Sequence, residues 1–242
     1  MIFSHRGDYG DVVYSLMAVR FLCAEADARC TFYLCPDSGT RAVMTREHAE
    51  ALLPLLREQH YFASAEWRAE PLGVRIDTAQ RCFAQHWANL ADNYAHYLRV
   101  SYSEQQGAWL TVNTPTALAA VVFSRSARYR NPVFPWRVIH RRYGQQAAFL
   151  GTPEEHQAFE REVGKVAFAQ TATLSEAAQI IAGCQLFCGN QSCLRAIAEG
   201  LKVPVCVEVF TKPPATQPDT HFARGDAWYN VPPPENFLQK AT

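Results

Sequence analysis

Residues 184–209 read CQLFCGNQSCLRAIAEGLKVPVCVEV, and the fold can be read outward from them. The apolar run 185–188 reads as a strand that ends in Gly189-Asn190-Gln191-Ser192. A short helix follows, closed by Gly200, and Val203-Pro204-Val205 opens a second strand. Strand, tight turn, helix and strand make one compact α/β unit. In such a unit the helix N-terminus, with its unpaired N–H groups and partial positive charge, faces the carboxyl end of the first strand. Phosphates and other anions are held there. The same pattern also describes a plain βαβ crossover that holds no ligand.

The rest of the chain repeats the alternation. Residues 118–123 form a nearly continuous apolar run, as expected of a parallel strand buried on both faces. A basic loop follows, then a helix over 136–143, a strand over 147–150, a helix over 153–163 begun by Pro153, a strand over 166–169 and a helix over 175–182. Before residue 113 the pattern predicts a strand at 2–4, a helix from Asp11, a strand at 31–35, a helix capped by Thr45, a short strand at 74–76, an amphipathic helix over 81–100 and a strand at 109–112. Phe83, Trp87, Leu90, Tyr94 and Tyr97 recur along that long helix as a core stripe. The expected fold is α/β: two Rossmann-like lobes of parallel strands flanked by helices, with a compact N-terminal lobe. Residues 1–115 would form the first lobe and 116–210 the second. A Pro-rich tail, 211–242, would pack across both.

Bulk properties narrow the function. The 242 residues carry 23 Lys+Arg against 23 Asp+Glu, so no global charge favours nucleic acid or an acidic membrane surface. The chain opens MIFSHRGDYGD, which lacks a signal-peptide apolar run, and no apolar stretch is long enough to span a bilayer. A cytoplasmic location is the expectation. Cysteines stand at 23, 30, 35, 82, 184, 188, 193 and 206 with no CxxC pair, which predicts reduced thiols and no metal site.

Three segments at the ends of expected strands carry groups suited to chemistry. The first is His5-Arg6-Gly7-Asp8-Tyr9-Gly10-Asp11. Its glycines allow close backbone approach to a ligand, and Asp8 or Asp11 is able to take a proton from an attacking hydroxyl. Asp11 is equally suited to capping the helix. The second is Ser124-Arg125-Ser126-Ala127-Arg128-Tyr129-Arg130-Asn131, where three arginines and two hydroxyls suit a diphosphate or form a solvated basic loop. The third is the opening turn, Gly189, Asn190, Gln191 and Ser192, with Glu199 placed either to bind a ribose hydroxyl or as an exposed surface group. His5 is the one histidine expected near a site.

Together these segments resemble glycosyltransferase family 9, the heptosyltransferase-like enzymes of GT-B fold. Gly10-Asp11-Val12-Val13 ahead of Ser15-Leu16 is similar to the family's opening motif. Leu174-Ser175-Glu176-Ala177, Ile180-Ile181-Ala182, Phe187-Cys188-Gly189-Asn190, Ala198, Gly200-Leu201 and Val203-Pro204 are similar to its C-terminal segment, and residues 149–155 to the strand and turn before it. The resemblance implies inverting, metal-independent sugar transfer between the lobes, from a nucleotide-diphosphate sugar used as co-substrate, with no bound cofactor. By position Asp11 would be the general base, with Asp8 beside it. His5, Arg6, Gly7, Tyr9 and Gly10 would lie on the acceptor side. Ser124, Arg125, Ser126, Arg128, Arg130 and residues 189–192 would face the donor, with Glu199 near its ribose. The chain departs from the family where Gln191-Ser192-Cys193 replaces Asp-Ser/Thr-Gly, Ala196 replaces histidine and Met17 replaces proline. These departures motivate an alternative: a nucleotide- or sugar-phosphate-binding protein without turnover. The acceptor expected first is a saccharide, then a modified nucleic-acid base or protein side chain; a nucleotide-sugar epimerase on a similar fold is a further possibility.

Overall fold

The computed structural model describes residues 1–36, 44–77, 90–101, 107–210 and 227–238. Two parallel sheets organise them. In the first, β1 (Ile2–His5), β2 (Cys30–Leu34), β3 (Phe62–Trp67) and β4 (Val74–Arg75) lie in the order β3-β2-β1-β4. In the second, β5 (Val121–Ser124), β6 (Ala147–Leu150), β7 (Ala167–Ala169), β8 (Leu186–Asn190), β9 (Val205–Glu208) and β10 (Ala227–Tyr229) lie in the order β10-β9-β8-β5-β6-β7. Every pairing is parallel. The helices are α1 (Tyr9–Glu25), α2 (Arg46–Arg57), α3 (Leu90–Leu98), α4 (Trp136–Tyr143), α5 (Pro153–Glu162), α6 (Leu174–Ala182) and α7 (Cys193–Gly200).

Burial explains why these segments form these elements. All residues of β5, β6, β8 and β9 are buried, so unbroken apolar runs pay no solvation cost on either face. Helix α1 is apolar around most of its circumference, with Val12, Val13, Leu16, Met17 and Val19 all buried. A helix of that kind must be covered on all sides. It packs against α3 and, across the lobes, against α7. One hydrophobic cluster therefore runs through both lobes, joining Leu16, Phe32 and Leu55 to Ile181, Ile197 and Val122. A smaller cluster around Phe123, Trp136, Phe149 and Phe159 fills the other face of the second sheet.

Several expectations need correcting. Residues 109–112 form no strand. Their backbone is instead tied to the lobe seam: the Trp109 and Leu110 amides donate to the Gly200 carbonyl at 3.0 Å, and the Thr111 amide donates to Gln59 Oε1 at 2.9 Å. Tyr61 Oη donates to the Trp109 carbonyl at 2.7 Å. Of the tail expected to pack across both lobes, residues 227–238 are described. Its residues 227–229 extend the second sheet, and Trp228, Phe237 and Leu238 pack on the C-terminal cluster. An edge strand with an apolar Trp is better buried by pairing than by lying loose. Helix α1 begins at Tyr9, two residues before the expected Asp11. The first half of the expected helix 81–100, with Phe83 and Trp87, lies outside the described residues. Among the described residues no helix is long and apolar enough to cross a membrane.

Candidate active site

The N-terminal turns of α1 and α7 meet. A methyl placed on Gly10 would stand 3.7 Å from Cys193 Cα, so the two backbones approach with little between them. Because each helix directly follows a strand, this contact brings the carboxyl ends of β1 and β8 to one seam, where open α/β sheets bind ligands.

On the α1 side, Asp8 is the N-cap, but its side chain makes no capping bond. Asp11 lies in the first turn, so it neither begins nor caps the helix. Both carboxylates are half-buried. Burial, then the charges of Asp8 and Asp11, push the Cys193 thiol pKa up, so the residue is a neutral thiol facing two carboxylates. Burial, with the neighbouring Cys193 and Glu47 groups, raises Tyr9 to about 12, and its ring meets His48 edge-on.

His5 is not a surface group. It is fully buried, its Nδ1 accepts from the Gly7 amide at 2.9 Å, and its Nε2 lies 3.0 Å from Tyr94 Oη. With Nδ1 accepting, the ring proton resides on Nε2 and is donated to the tyrosine. Burial depresses its pKa to about 4, against a raising influence from Asp77 and with a smaller lowering one from Arg6. Arg6 donates through Nε and one terminal nitrogen to Asp77 Oδ2 at 3.1 and 3.0 Å, and Arg75 donates to the same oxygen at 3.1 Å. Burial alone would raise the Asp77 pKa; the bonds from Arg75 and Arg6 outweigh it and hold the carboxyl down. His5 and Arg6 thus brace the turn from behind.

On the α7 side, Ser192 is the N-cap and its hydroxyl accepts from the Arg195 amide at 3.4 Å. No acidic residue lies in the first turn of α7. Gly189 is required: a methyl there would fall 2.7 Å from the Phe187 ring and 2.9 Å from the Ser124 carbonyl. Asn190, wholly buried, ties the loop after β5 to β8. Its Oδ1 accepts from the Ser126 amide and hydroxyl at 2.9 and 3.2 Å, and its Nδ2 donates to the Ser126 and Arg128 carbonyls at 3.1 and 2.6 Å. The Gln191 carboxamide oxygen accepts from the Phe210 amide at 3.0 Å.

The arginine loop is less basic than its sequence. Arg125 donates to both oxygens of buried Glu208 at 2.8 and 2.9 Å and also to Glu162. Arg130 pairs with Glu162 at 2.9 Å and donates to the Ser126 carbonyl. Arg128 is exposed, its guanidinium 5.6 Å from the Tyr129 ring centre. Ser124 is buried at the end of β5. The reading of Glu199 as an exposed group fails: it is 4% exposed, on the face of α7 that also buries Arg195, and the two lie 3.7 Å apart. A short helix wedged between α1 and residues 109–110 has little solvated face to offer.

Glu208, Glu162 and Asp77 escaped the sequence reading. The signal for Glu208 was present, as a lone carboxylate near the end of the apolar run 203–209. The described residues contain no group of three or more His, Cys, Asp or Glu side chains able to hold a metal ion, so no ligand set is assigned.

No family model matches the sequence, and no match was found among curated proteins. Solved structures do share its architecture. The glycosyl transferase family 9 protein from Veillonella parvula DSM 2008 superposes with a TM-score of 0.60 at 13% identity, covering 94% of this chain and 84% of that one. ADP-heptose lps heptosyltransferase II of E. coli gives 0.53 at 14%, covering 94% and 89%. The dodecameric iron-containing heptosyltransferase TibC of enterotoxigenic E. coli, solved with ADP-D-beta-D-heptose, gives 0.56 at 12%, covering 93% and 62%. At these identities the likeness is one of fold: this chain has the two-lobed, GT-B-like α/β fold of glycosyltransferase family 9 structures.

Proposed function

We propose that this protein transfers a sugar from a nucleotide-diphosphate sugar to an acceptor hydroxyl, with inversion and without a metal ion. The observation that carries the reading is the contact between the two helix N-termini. One presents the carboxylates Asp8 and Asp11; the other has no acid in its first turn. Asp11 takes the proton of the acceptor hydroxyl as that oxygen attacks the anomeric carbon. The bond from this carbon to the diphosphate breaks, and its electron pair leaves with the phosphate oxygen. The first N–H groups of α7 and the Arg128 guanidinium stabilise the charge that gathers there. A single displacement inverts the anomeric centre. A saccharide hydroxyl is the acceptor expected first. Since Arg125 and Arg130 are bound to carboxylates, the loop offers little of the free positive charge that a nucleic-acid acceptor needs. The heptosyltransferase neighbour solved with ADP-D-beta-D-heptose supports a nucleotide-sugar donor in this fold. Seven free cysteines among the described residues suit a reducing, cytoplasmic setting.

The test is release of nucleoside diphosphate from a panel of nucleotide sugars in the presence of EDTA, with NMR of the product anomer. Asp11→Asn should lower kcat by about 10²–10⁴-fold while donor affinity holds. Equal turnover by Asp11→Asn removes the base assignment. Gln191 favours the second reading, because its side-chain oxygen is taken by the Phe210 amide and it carries no charge toward a donor. Tight binding of a nucleoside diphosphate with no product from any donor and acceptor pair would establish that reading instead.

A further inference from the structure

Beta-strand β9 ends in a carboxylate that has no place in an apolar strand unless it is needed. Glu208 is 0% exposed, and its two oxygens receive four hydrogen bonds. Oε1 accepts from a terminal nitrogen of Arg125 at 2.9 Å and from the Asn131 amide at 2.7 Å. Oε2 accepts from Arg125 Nε and from Trp136 Nε1, both at 2.8 Å. Three of the four donors belong to the two ends of one loop, residues 125–131, and the fourth to the first residue of the following helix. Asn190 holds the middle of the same loop through Ser126 and Arg128. The exposed tip, residues 127–129, is thus carried on a frame whose anchors Arg125, Asn131, Trp136, Asn190 and Glu208 are all buried.

A buried ion pair is poor evidence of a stabilising purpose, because a well-packed apolar pair often does as well. What the ion pair supplies and an apolar pair does not is direction. The fork of Arg125 meets the carboxylate in one plane, and the Asn131 amide and Trp136 indole fix that plane from other sides.

We infer that Glu208 is a positioning residue for donor binding: through Arg125, Asn131 and Trp136 it sets the geometry of the 126–131 loop, so that Arg128 is delivered to the seam beside the α7 N-terminus. The inference rests on the glycosyl-transfer reading for what the loop grips, but not for how the loop is held. Glu208 touches no reacting atom in this account. Its loss acts on donor binding and on the charge of the leaving diphosphate, and leaves the proton transfer at Asp11 alone.

The experiment uses the full chain with two variants. Glu208→Gln keeps the shape but turns an N–H group toward donors. Arg125→Met/Glu208→Leu removes both charges and fills the space, which preserves folding where a single change leaves a buried charge. Circular dichroism and thermal melting verify the fold. Amide hydrogen exchange at residues 126–131 should quicken about tenfold or more in the folded double variant. The dissociation constant for ADP or UDP, by calorimetry, should rise about tenfold or more, and in transfer assays the donor kcat/KM should fall about tenfold or more while its pH profile is unchanged. Unchanged exchange in both variants overturns the inference. Faster exchange with unchanged nucleotide affinity overturns the donor role of the loop. If the wild-type protein binds neither nucleotide, the functional reading fails, and exchange alone then decides whether Glu208 positions the loop.

Discussion

Two strand–turn–helix units meet at the seam, and they are built differently. The β1–α1 turn is held by titratable groups: a buried neutral His5 and the Arg6–Asp77–Arg75 cluster. The β8–α7 turn is held by neutral amides and a hydroxyl, those of Asn190, Gln191 and Ser192. Charge divides the opposite way at the helix ends themselves. Helix α1 carries Asp11 in its first turn and Asp8 at its cap, which already answer its positive end, whereas α7 has no acid there. A helix end compensated from within the chain has little left for an anion. In the proposed reaction the end with no acid of its own is the diphosphate site, and the other supplies the base.

The largest effect that separates the two turns is acid. His5 has a folded pKa of about 4 against about 6.5 unfolded, so below pH 6.5 the unfolded chain binds a proton that the folded one refuses. Stability from this group is intact above about pH 6.5 and falls as pH drops toward 4, by about 3 kcal/mol in all. Urea unfolding between pH 4 and 8 should show this slope in the wild type and a shallower one in His5→Gln. Parallel slopes would mean that the first turn is not braced by a neutral imidazole. Asn190→Asp offers the converse, since it would bring an acid-sensitive group to the second turn.

A smaller effect distinguishes the glycines. Gly189→Ala drives a methyl into the Phe187 ring and the Ser124 backbone, and overpacking of this kind costs about 1–3 kcal/mol. Gly10→Ala meets only ordinary contacts, at 3.7 Å or more, and gains helix propensity. Its melting temperature should be unchanged or higher, by the equivalent of about 0.5–1 kcal/mol. Reversal of that order in thermal melts would show that the two turns are packed more alike than these distances indicate.

The doubly wound core was legible because a strand buried on both faces must be written as an apolar run; residues 121–124, 147–150 and 186–190 have no other use for such runs. The strand Phe62–Trp67 was not, since its alternation of Phe, Ala and Trp with Ser and Glu is sparse. Residues 109–112 looked like a strand because Trp, Leu, Thr and Val favour one, yet adjacent Trp109 and Leu110 are both buried and their amides go to the Gly200 carbonyl rather than to a neighbouring strand. Asp8 and Asp11 were recognised as functional candidates from the Gly-Asp pattern, but two aspartates three residues apart blur a helix start. Arg125 was read as a phosphate ligand because its partner lies 83 residues away in another strand. Glu199 was read as either a ribose ligand or an exposed group, and its burial went unforeseen because nothing local announces that α1 and residues 109–110 pack against α7.

In the proposed reaction the N-terminus of α7 holds the donor diphosphate. Ser192→Asp tests it most directly, because aspartate caps a helix as well as serine does yet fills the positive end with a negative charge. Calorimetric titration of wild type and variant with ADP and UDP is the measurement. The account predicts a variant that melts at or above the wild-type temperature and binds the nucleotide about tenfold or more weakly. A variant that binds as tightly as the wild type would contradict it.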